Sequence, residues 1–280
     1  MKKILKWVLK IFIIIIFIIV YARFIGTMGL ITKEYKIVDK NIPDDFDGLK
    51  VVHFSDIHYN RAITIKKVNN IVKEINKINP DIVVFTGDLI DKDATLNDND
   101  YEELMKAFKN IKAKYGKYSI LGNHDEGKEK DKILKLYKDS DFIYLENDND
   151  IIYSKNNQEI FIGGLNTSTF NKQDIEKTIN VDSKEDIKYK IILTHEPDIA
   201  SEIIKASKVN LILAGHSHNG QVRLPFIGAI YKPPHAKKYY DEHYNLSGTQ
   251  LYISSGIGVS TINYRLFNHP SINFYRINKD

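Results

Sequence analysis

The 280-residue chain contains no cysteine, which excludes disulfides, cysteine–zinc sites and thiol nucleophiles while fitting either side of a membrane. Past residue 36 it also shows no internal repeat, low-complexity tract or inter-domain linker. A basic surface is missing over most of its length. Residues 1–36 hold seven Lys and Arg against Glu34 alone, a net of +6, so the remainder carries −2 of the overall +4. The basicity belongs to the N-terminus, and no basic track for a nucleic-acid polymer lies beyond it. No nucleic-acid partner is therefore expected. With 43% hydrophobic and 27% charged residues, the composition is that of a globular protein of one large domain or two small ones.

The N-terminus reads MKKILKWVLKIFIIIIFIIVYARFIG. Ile11 to Ala22 is uninterrupted apolar or aromatic, and Trp7 to Ile25 contains only Lys10 and Arg23 as charges. A spanning helix needs about 20 such residues, and lysines near its end can reach the interface. A signal-peptide core is the rival reading, but Tyr21-Ala22-Arg23-Phe24 is a poor match to a small-residue cleavage site. The expectation is an uncleaved, single-pass anchor in the cell membrane. Four lysines before the apolar core put its N-terminus in the cytoplasm and the rest of the chain outside. Residues 1–36 are thus assigned to anchor and tether, and 37–280 to one catalytic domain.

Beyond residue 36, short β-branched apolar runs alternate with amphipathic segments. Leu49–Ser55, Asp81–Gly87, Tyr118–Gly122, Glu159–Gly164, Tyr189–Thr194, Val209–Gly215, Gln250–Gly256 and Ser271–Ile277 read as strands. Ile65, Val68, Val72 and Ile75 form one helical stripe that Pro80 ends. Asp100-Tyr101-Glu102-Glu103 has the form of a capping box, and Asp198 after Pro197 that of another helix cap. The alternation predicts an α/β layered domain.

The chemistry-bearing residues gather at the strand ends. Asp56-Ile57-His58 comes after the first, Gly87-Asp88-Leu89-Ile90-Asp91 after the second and Gly122-Asn123-His124-Asp125 after the third. His195-Glu196-Pro197 comes after Thr194, and Gly215-His216-Ser217-His218-Asn219-Gly220-Gln221 after Ala214. Singly, each has an ordinary reading: Asp56 or Asp88 as a helix cap, Asn123 as a turn residue, His195 as a packed core histidine. Five coincidences at five strand ends favour convergence in the crevice beyond the sheet, where α/β folds bind ligands. Imidazole, carboxylate and amide oxygen without thiolate suit two divalent ions such as Mn, Fe or Zn.

The ordered set D-x-H, G-D-x-x-D, G-N-H-D, a lone H and G-H-x-H resembles that of the calcineurin-like metallophosphoesterase superfamily. The resemblance covers about residues 45–280. Arg223-Leu224-Pro225-Phe226, Ser255-Gly256-Ile257-Gly258 and Arg265 are similar to the small membrane-linked bacterial branch that includes enzymes cleaving UDP-diacylglucosamine. Pro270-Ser271 departs from that branch's Pro-Glu.

The resemblance implies a β-sandwich flanked by helices, with Asp56, His58, Asp88 and His218 on one metal and Asp88, Asn123, His195 and His216 on the other. Asp88 would bridge. It further implies that His124 donates a proton to the leaving oxygen or stabilises the transition state, with Asp91 orienting its ring. Two metals can bind a bridging hydroxide and the phosphoryl oxygens, supporting in-line displacement at phosphorus.

His53 reads as a packed mid-strand residue, and His235, His243 and His269 as loop residues. Leu224 to Tyr244 reads either as an aromatic flap or lipid-resting surface, or as an ordinary packed loop. Arg61 is either a phosphate contact or a solvated charge. The expected substrate is a phosphorylated small molecule or lipid, and the chain is expected to be monomeric. Alternatives are a phosphodiesterase of soluble nucleotides and a non-catalytic envelope-binding protein, although no ligand of the motif set is missing. A metallo-β-lactamase-type site also uses H-x-H but continues into Asp-His, where this chain has Asn219-Gly220.

Overall fold

The computed structural model describes residues 2–168, 172–180 and 187–280. It begins with α1 (Lys2–Val20), continued by a π-helical turn at Tyr21–Ile25. α1 carries Lys2, Lys3, Lys6 and Lys10 in its first half, is apolar on every side from Ile11 to Val20, and has no buried side chain. The two segments together span 24 residues, about 36 Å of helix at 1.5 Å per residue, against a hydrocarbon core of about 30 Å. This helix is long and apolar enough to cross a membrane.

The rest is a sandwich of two six-stranded sheets. The elements in chain order are β1 (Ile31–Val38), β2 (Leu49–Phe54), α2 (Ile65–Ile78), β3 (Ile82–Phe85), α3 (Asp98–Lys109), β4 (Gly116–Ser119), α4 (Lys130–Asp139), β5 (Phe142–Tyr144), β6 (Asp148–Tyr153), β7 (Glu159–Gly164), α5 (Ile175–Ile179), β8 (Lys190–Thr194), α6 (Ala200–Ala206), β9 (Leu211–Ala214), β10 (Arg223–Leu224), β11 (Gly228–Ala229), β12 (His243–Leu246), β13 (Thr249–Ile253) and β14 (Ser271–Asn278). One sheet runs β1-β14-β2-β3-β4-β5 and the other β12-β13-β9-β8-β7-β6, with β10 and β11 as a separate hairpin. In the first, β2 through β5 are parallel and β14 is antiparallel to β2; in the second, β7, β8, β9 and β13 are parallel.

Period-two alternation explains the layers. Val51, Ile82 and Val84 meet Ile191, Leu193, Leu211 and Leu213 between the sheets. Their neighbours Val52, Phe54, Val83 and Phe85 turn outward onto Val68, Ile75, Leu104, Phe108 and Leu136 of α2, α3 and α4. On the far side, Ile192 and Ile212 pack against Ala200 and Ile203 of α6. Strands covered on both faces read as unbroken apolar runs, which is why they are visible in the sequence.

Three local expectations change. The cap of α3 is Asn97, whose side-chain oxygen accepts the Asp100 N–H at 2.9 Å, so the helix starts one turn earlier than the capping-box reading. Asp198 caps nothing; its carboxylate accepts the N–H groups of Lys237, Lys238 and Tyr239, tying down the loop after β11. Residues 31–36, assigned to the tether, lie in β1 and pair in parallel with β14. Lys33 and Tyr35 on this strand both hydrogen-bond the Glu242 carboxylate.

The helical segment is also fastened to the domain. Ala22 is buried, and its carbonyl accepts the N–H of Arg265 at 2.9 Å. Gly26 presses so closely on the same loop that a Cβ there would lie 2.0 Å from the Arg265 carbonyl oxygen.

Candidate metal centre

The parallel pairing of β2, β3 and β4, and of β8 and β9, brings their carboxyl ends into register. Five of the candidate ligands in the turns beyond them adopt left-handed φ: Asp56 (54°), His58 (46°), Asp88 (57°), His216 (65°) and His218 (49°). Such backbone is costly for residues with a Cβ and persists where surrounding contacts over-determine it. Those contacts are present: Asp56 N–H donates to Gly87 O, His58 N–H to Asp88 O and Gly215 N–H to His195 O. Gly215 permits a close approach between the sheets, since a Cβ there would stand 2.2 Å from Ser55 Oγ and 2.6 Å from Asp56 Oδ2.

The side chains converge. His58 Nε2 lies 3.2 Å from His218 Nε2 and 3.6 Å from Asp88 Oδ2. His218 Nε2 is 3.3 Å from Asp56 Oδ1, and His195 Nε2 is 3.3 Å from Asp88 Oδ2 and 3.1 Å from Asn123 Oδ1. One oxygen of Asp88 therefore faces both His58 and His195. Donor atoms of Asp56, His58 and His218, and those of Asp56, Asp88 and His195, each fall within 4.8 Å of one another. His216 sits beside them, its ring centroid 5.0 Å from that of His195.

Backbone carbonyls fix two tautomers. Nδ1–H of His195 donates to Thr86 O at 2.7 Å, which turns Nε2 toward Asp88 and Asn123, where a proton or a cation can sit. Nε2–H of His216 donates to Pro234 O at 2.8 Å, leaving Nδ1 unprotonated. Outer hydrogen bonds of this sort orient metal-binding imidazoles. Two buried Nε2 atoms 3.2 Å apart at His58 and His218, with two carboxylates beside them, form a set of electron-pair donors that a cation satisfies better than a shared proton. The residues present fit divalent metal.

Burial and charge pull the titrations apart. Burial pushes His58 down to about 3 and His216 down to about 4, because no charge is tolerated there without compensation. Burial opposes a charge on His195 as well, yet the Asp88 carboxylate outweighs it and raises that imidazole to about 10. Burial also disfavours ionised Asp56, but His218 more than offsets this and lowers its carboxyl.

His124 stands at the edge of the cluster. Its Nδ1 is 3.0 Å from Asp91 Oδ1, and its backbone N–H donates to Asp88 Oδ1 at 2.8 Å. Asp91 also pairs with Arg61, whose other guanidinium nitrogen donates to Thr261 O at 2.7 Å. Arg61 is thereby placed beside the cluster as a partner of Asp91.

A cleft of about 520 Å³ opens over the centre, floored by Asp88, Asn123, His124, His216 and His218 and walled by Val222, Ile230, Tyr231, Pro233, Pro234 and Ile262. The segment after β10 is part flap and part packed loop: Ile230 and Tyr231 wall the cleft, Tyr239 is buried in the core, and Phe226 and Ile227 project into solvent. His53 is buried against Thr86 as expected, with Nε2 2.8 Å from Oγ1. His243 bonds Gln250 and stacks on Tyr252, whereas His235 and His269 serve through their backbone carbonyls.

Sequence reasoning missed two supporting residues. The buried Asp125 carboxylate accepts the N–H groups of Asp88, Leu89 and Gly122 at 2.7–2.9 Å, locking the Asp88 turn against the Asn123 turn. Burial first, then the Asp88 charge, raise its carboxyl to about 7. Its signal is its place directly after Asn123-His124. Arg265, marked in the sequence only by family likeness, is fully buried behind His218 and donates to the carbonyls of Ser255, Gly256 and Gly258.

A calcineurin-like phosphoesterase family model matches residues 49–220. The chain is 33% identical over 258 residues to the uncharacterized metallophosphoesterase YkuE of Bacillus subtilis, covering 92% of this chain and 88% of that protein. It is 28% identical over 276 residues to the uncharacterized metallophosphoesterase YkoQ of the same organism, covering 93% and 97%. To the phosphodiesterase YaeI of Escherichia coli it is 23% identical over 233 residues, covering 82% of each.

Proposed function

The chain belongs to the calcineurin-like phosphoesterase family and is a metal-dependent phosphoesterase, and from that premise we propose that it is a membrane-anchored dinuclear hydrolase of a lipid-linked or cell-envelope phosphoester or pyrophosphate. The observation that carries the lipid reading is an apolar-walled cleft directly over the charged cluster, in a chain that opens with a 24-residue apolar helix. Amphiphilic substrates need both environments within one molecule's reach.

In this reading Asp56, His58, Asp88 and His218 hold one cation, and Asp88, Asn123, His195 and His216 hold the other. Bound divalent ions at such a centre supply Lewis acidity toward phosphoryl oxygens and lower the pKa of water. The remaining work belongs to the chain. Asp88 is held on its Oδ1 side by His124 N–H, which leaves Oδ2 to face the centre. Nδ1 of His124 accepts the Lys92 backbone N–H at 3.0 Å and lies 3.0 Å from Asp91 Oδ1, so the ring is held by that edge and Nε2–H is the group left to give its proton to the leaving oxygen as the P–O bond breaks. Proton donation of this kind contributes about 10²–10⁴-fold. Arg61 neutralises Asp91 from the other side. Ile230, Tyr231 and Ile262 give the cleft an apolar wall beside the reacting phosphorus.

The membrane part assigns α1 to a single-pass anchor with the catalytic domain outside the cytoplasm, supported by the lysines that precede the apolar core. The test is a substrate panel on the full chain in detergent: bis-p-nitrophenyl phosphate, a nucleoside cyclic phosphodiester and a UDP-linked lipid pyrophosphate. Preference for the lipid pyrophosphate supports this assignment. Preference for the nucleotide diester moves the enzyme to soluble phosphodiester chemistry.

A further inference from the structure

We propose that the β10–β11 hairpin is a second foot on the bilayer, seating Phe226 and Ile227 at the headgroup–acyl boundary of an anionic phospholipid membrane so that the cleft opens against lipid. The proposal rests on the reading of α1 as a membrane span.

Four observations support it. The first is exposure at the hairpin tip: Phe226 is fully exposed and Ile227 is 72% exposed. Soluble domains scatter single apolar residues over their surfaces, but adjacent ones concentrated on a loop tip mark a contact site.

The second is that the hairpin does not stand alone. Ile230 and Tyr231 come directly after it, Ile262 faces them across the cleft, and Phe267 lies one residue beyond the Leu266 pairing; all four are more than half exposed.

The third is continuity with the helix. Arg223 N–H donates to Leu266 O and Leu266 N–H to Gln221 O, while the preceding Arg265 N–H donates to Ala22 O. The hairpin base and the end of the apolar helix are thus bound to consecutive residues of one short loop, with Gly26 in close contact with it. A helix crossing the bilayer and fastened in this way holds the hairpin beside its exit point, with no free tether between them. Phe24 and Ile25 at the end of the helix and Met28 just beyond it are exposed as well.

The fourth is charge. Residues 222–240 contain Arg223, Lys232, Lys237 and Lys238 and no acidic residue, although the chain past residue 36 is net negative. Arg223 is paired with Asp241, and the three lysines supply the local positive charge. An apolar tip in a segment whose own charges are all basic is the composition that attaches peripheral elements to anionic lipid. An apolar ligand confined to the cleft gives no reason for Phe226 and Ile227, which do not line it, to face outward.

The chain's single tryptophan, Trp7, lies in α1, which allows the two membrane contacts to be read separately. The full chain is reconstituted into phosphatidylcholine–phosphatidylglycerol vesicles carrying brominated acyl chains. The wild type reports α1 through Trp7. The Trp7→Phe, Phe226→Trp double variant reports the hairpin, and Trp7→Phe, Tyr153→Trp serves as the water-exposed control on β6, the edge strand opposite β12. Turnover of bis-p-nitrophenyl phosphate, expected unchanged by Phe226→Trp, checks folding. The expected result is blue-shifted emission from the hairpin variant and a loss of intensity with brominated lipid comparable to that of Trp7. Hairpin emission as red and as unquenched as the Tyr153 control overturns the proposal. Quenching of Trp7 in the wild type tests the anchor by itself, so a failed span and a failed foot give different patterns.

Discussion

The backbone N–H of His124 donates to Oδ1 of Asp88 at 2.8 Å, while Oδ2 of the same carboxylate lies 3.6 Å from His58 Nε2 and 3.3 Å from His195 Nε2. One side chain therefore links the proposed proton donor to both halves of the proposed metal centre. Asp88→Asn puts an NH₂ group either against the His124 N–H or against the imidazole donors, and neither placement keeps all three relations. Turnover is expected to fall on the order of 10³-fold, corresponding to several kcal/mol of lost charge stabilisation. Metal content by mass spectrometry should drop below two per chain.

His124→Ala should lower kcat about 10²–10⁴-fold on substrates with poor leaving groups and leave metal content intact. With p-nitrophenolate as leaving group, which departs without a proton, the loss should shrink to about 10-fold or less. Asp91→Asn should show the same pattern more weakly, because the ring loses the neighbouring carboxylate charge but keeps the Lys92 N–H that holds its Nδ1. Equal losses on both leaving groups would contradict proton donation by His124.

His195 gives a pH prediction for the metal-free protein. Its folded pKa is raised from the ordinary histidine value to about 10 by the Asp88 carboxylate, against the opposing effect of burial. A raised folded pKa means that the folded state holds the proton longer than the unfolded one. The stabilisation is fully present below about pH 6.5 and is lost as pH rises toward 10. Metal-free wild type should therefore lose Tm between pH 7 and pH 10 relative to His195→Gln. Metal-loaded wild type should show no such slope, because a cation replaces that proton. Parallel Tm profiles for metal-free wild type and variant would refute the pairing.

The structure also predicts where the chain tolerates truncation. A chain starting at residue 30 keeps all of β1, whereas one starting at residue 37 loses most of it, with the Lys33 and Tyr35 contacts to Glu242, and bares the edge of β14. The longer form should unfold near the full chain's Tm. The shorter should be destabilised on the order of 3 kcal/mol, a few lost ladder and charge-assisted hydrogen bonds, and should aggregate through the opened edge.

The same strand shows what the sequence could not convey. Strands β2, β3, β8 and β9 are covered on both faces, so their apolar runs and the turns behind them are local signals, and the seven site residues named from those turns, with Asn123 and His124 from the turn after β4, lie around one cleft or in direct contact with its floor. β1 alternates Thr32, Glu34 and Lys36 with half-exposed neighbours on a sheet edge, and its partner β14 lies some 240 residues away. Nothing local separates such a segment from a basic tether. Asp125 and Arg265 escaped for a related reason: what they do depends on backbone groups brought near by other elements, and a residue's type does not reveal whose N–H or carbonyl it will meet. Asn97 and Asp100, three residues apart, offer equally good local cap patterns, and only the folded chain shows that Asn97 is the cap.

The most direct test of the central claim is metal reconstitution of the full-length chain. The protein is stripped with chelator, reloaded with Mn, Fe, Zn or Mg, and assayed on bis-p-nitrophenyl phosphate beside Asp88→Asn. Activity that returns with two bound ions per chain, and that Asp88→Asn abolishes, is the predicted result. Two ions bound without turnover of this or the lipid and nucleotide substrates, or turnover that persists in the stripped protein, would contradict the assignment of these residues as a dinuclear catalytic centre.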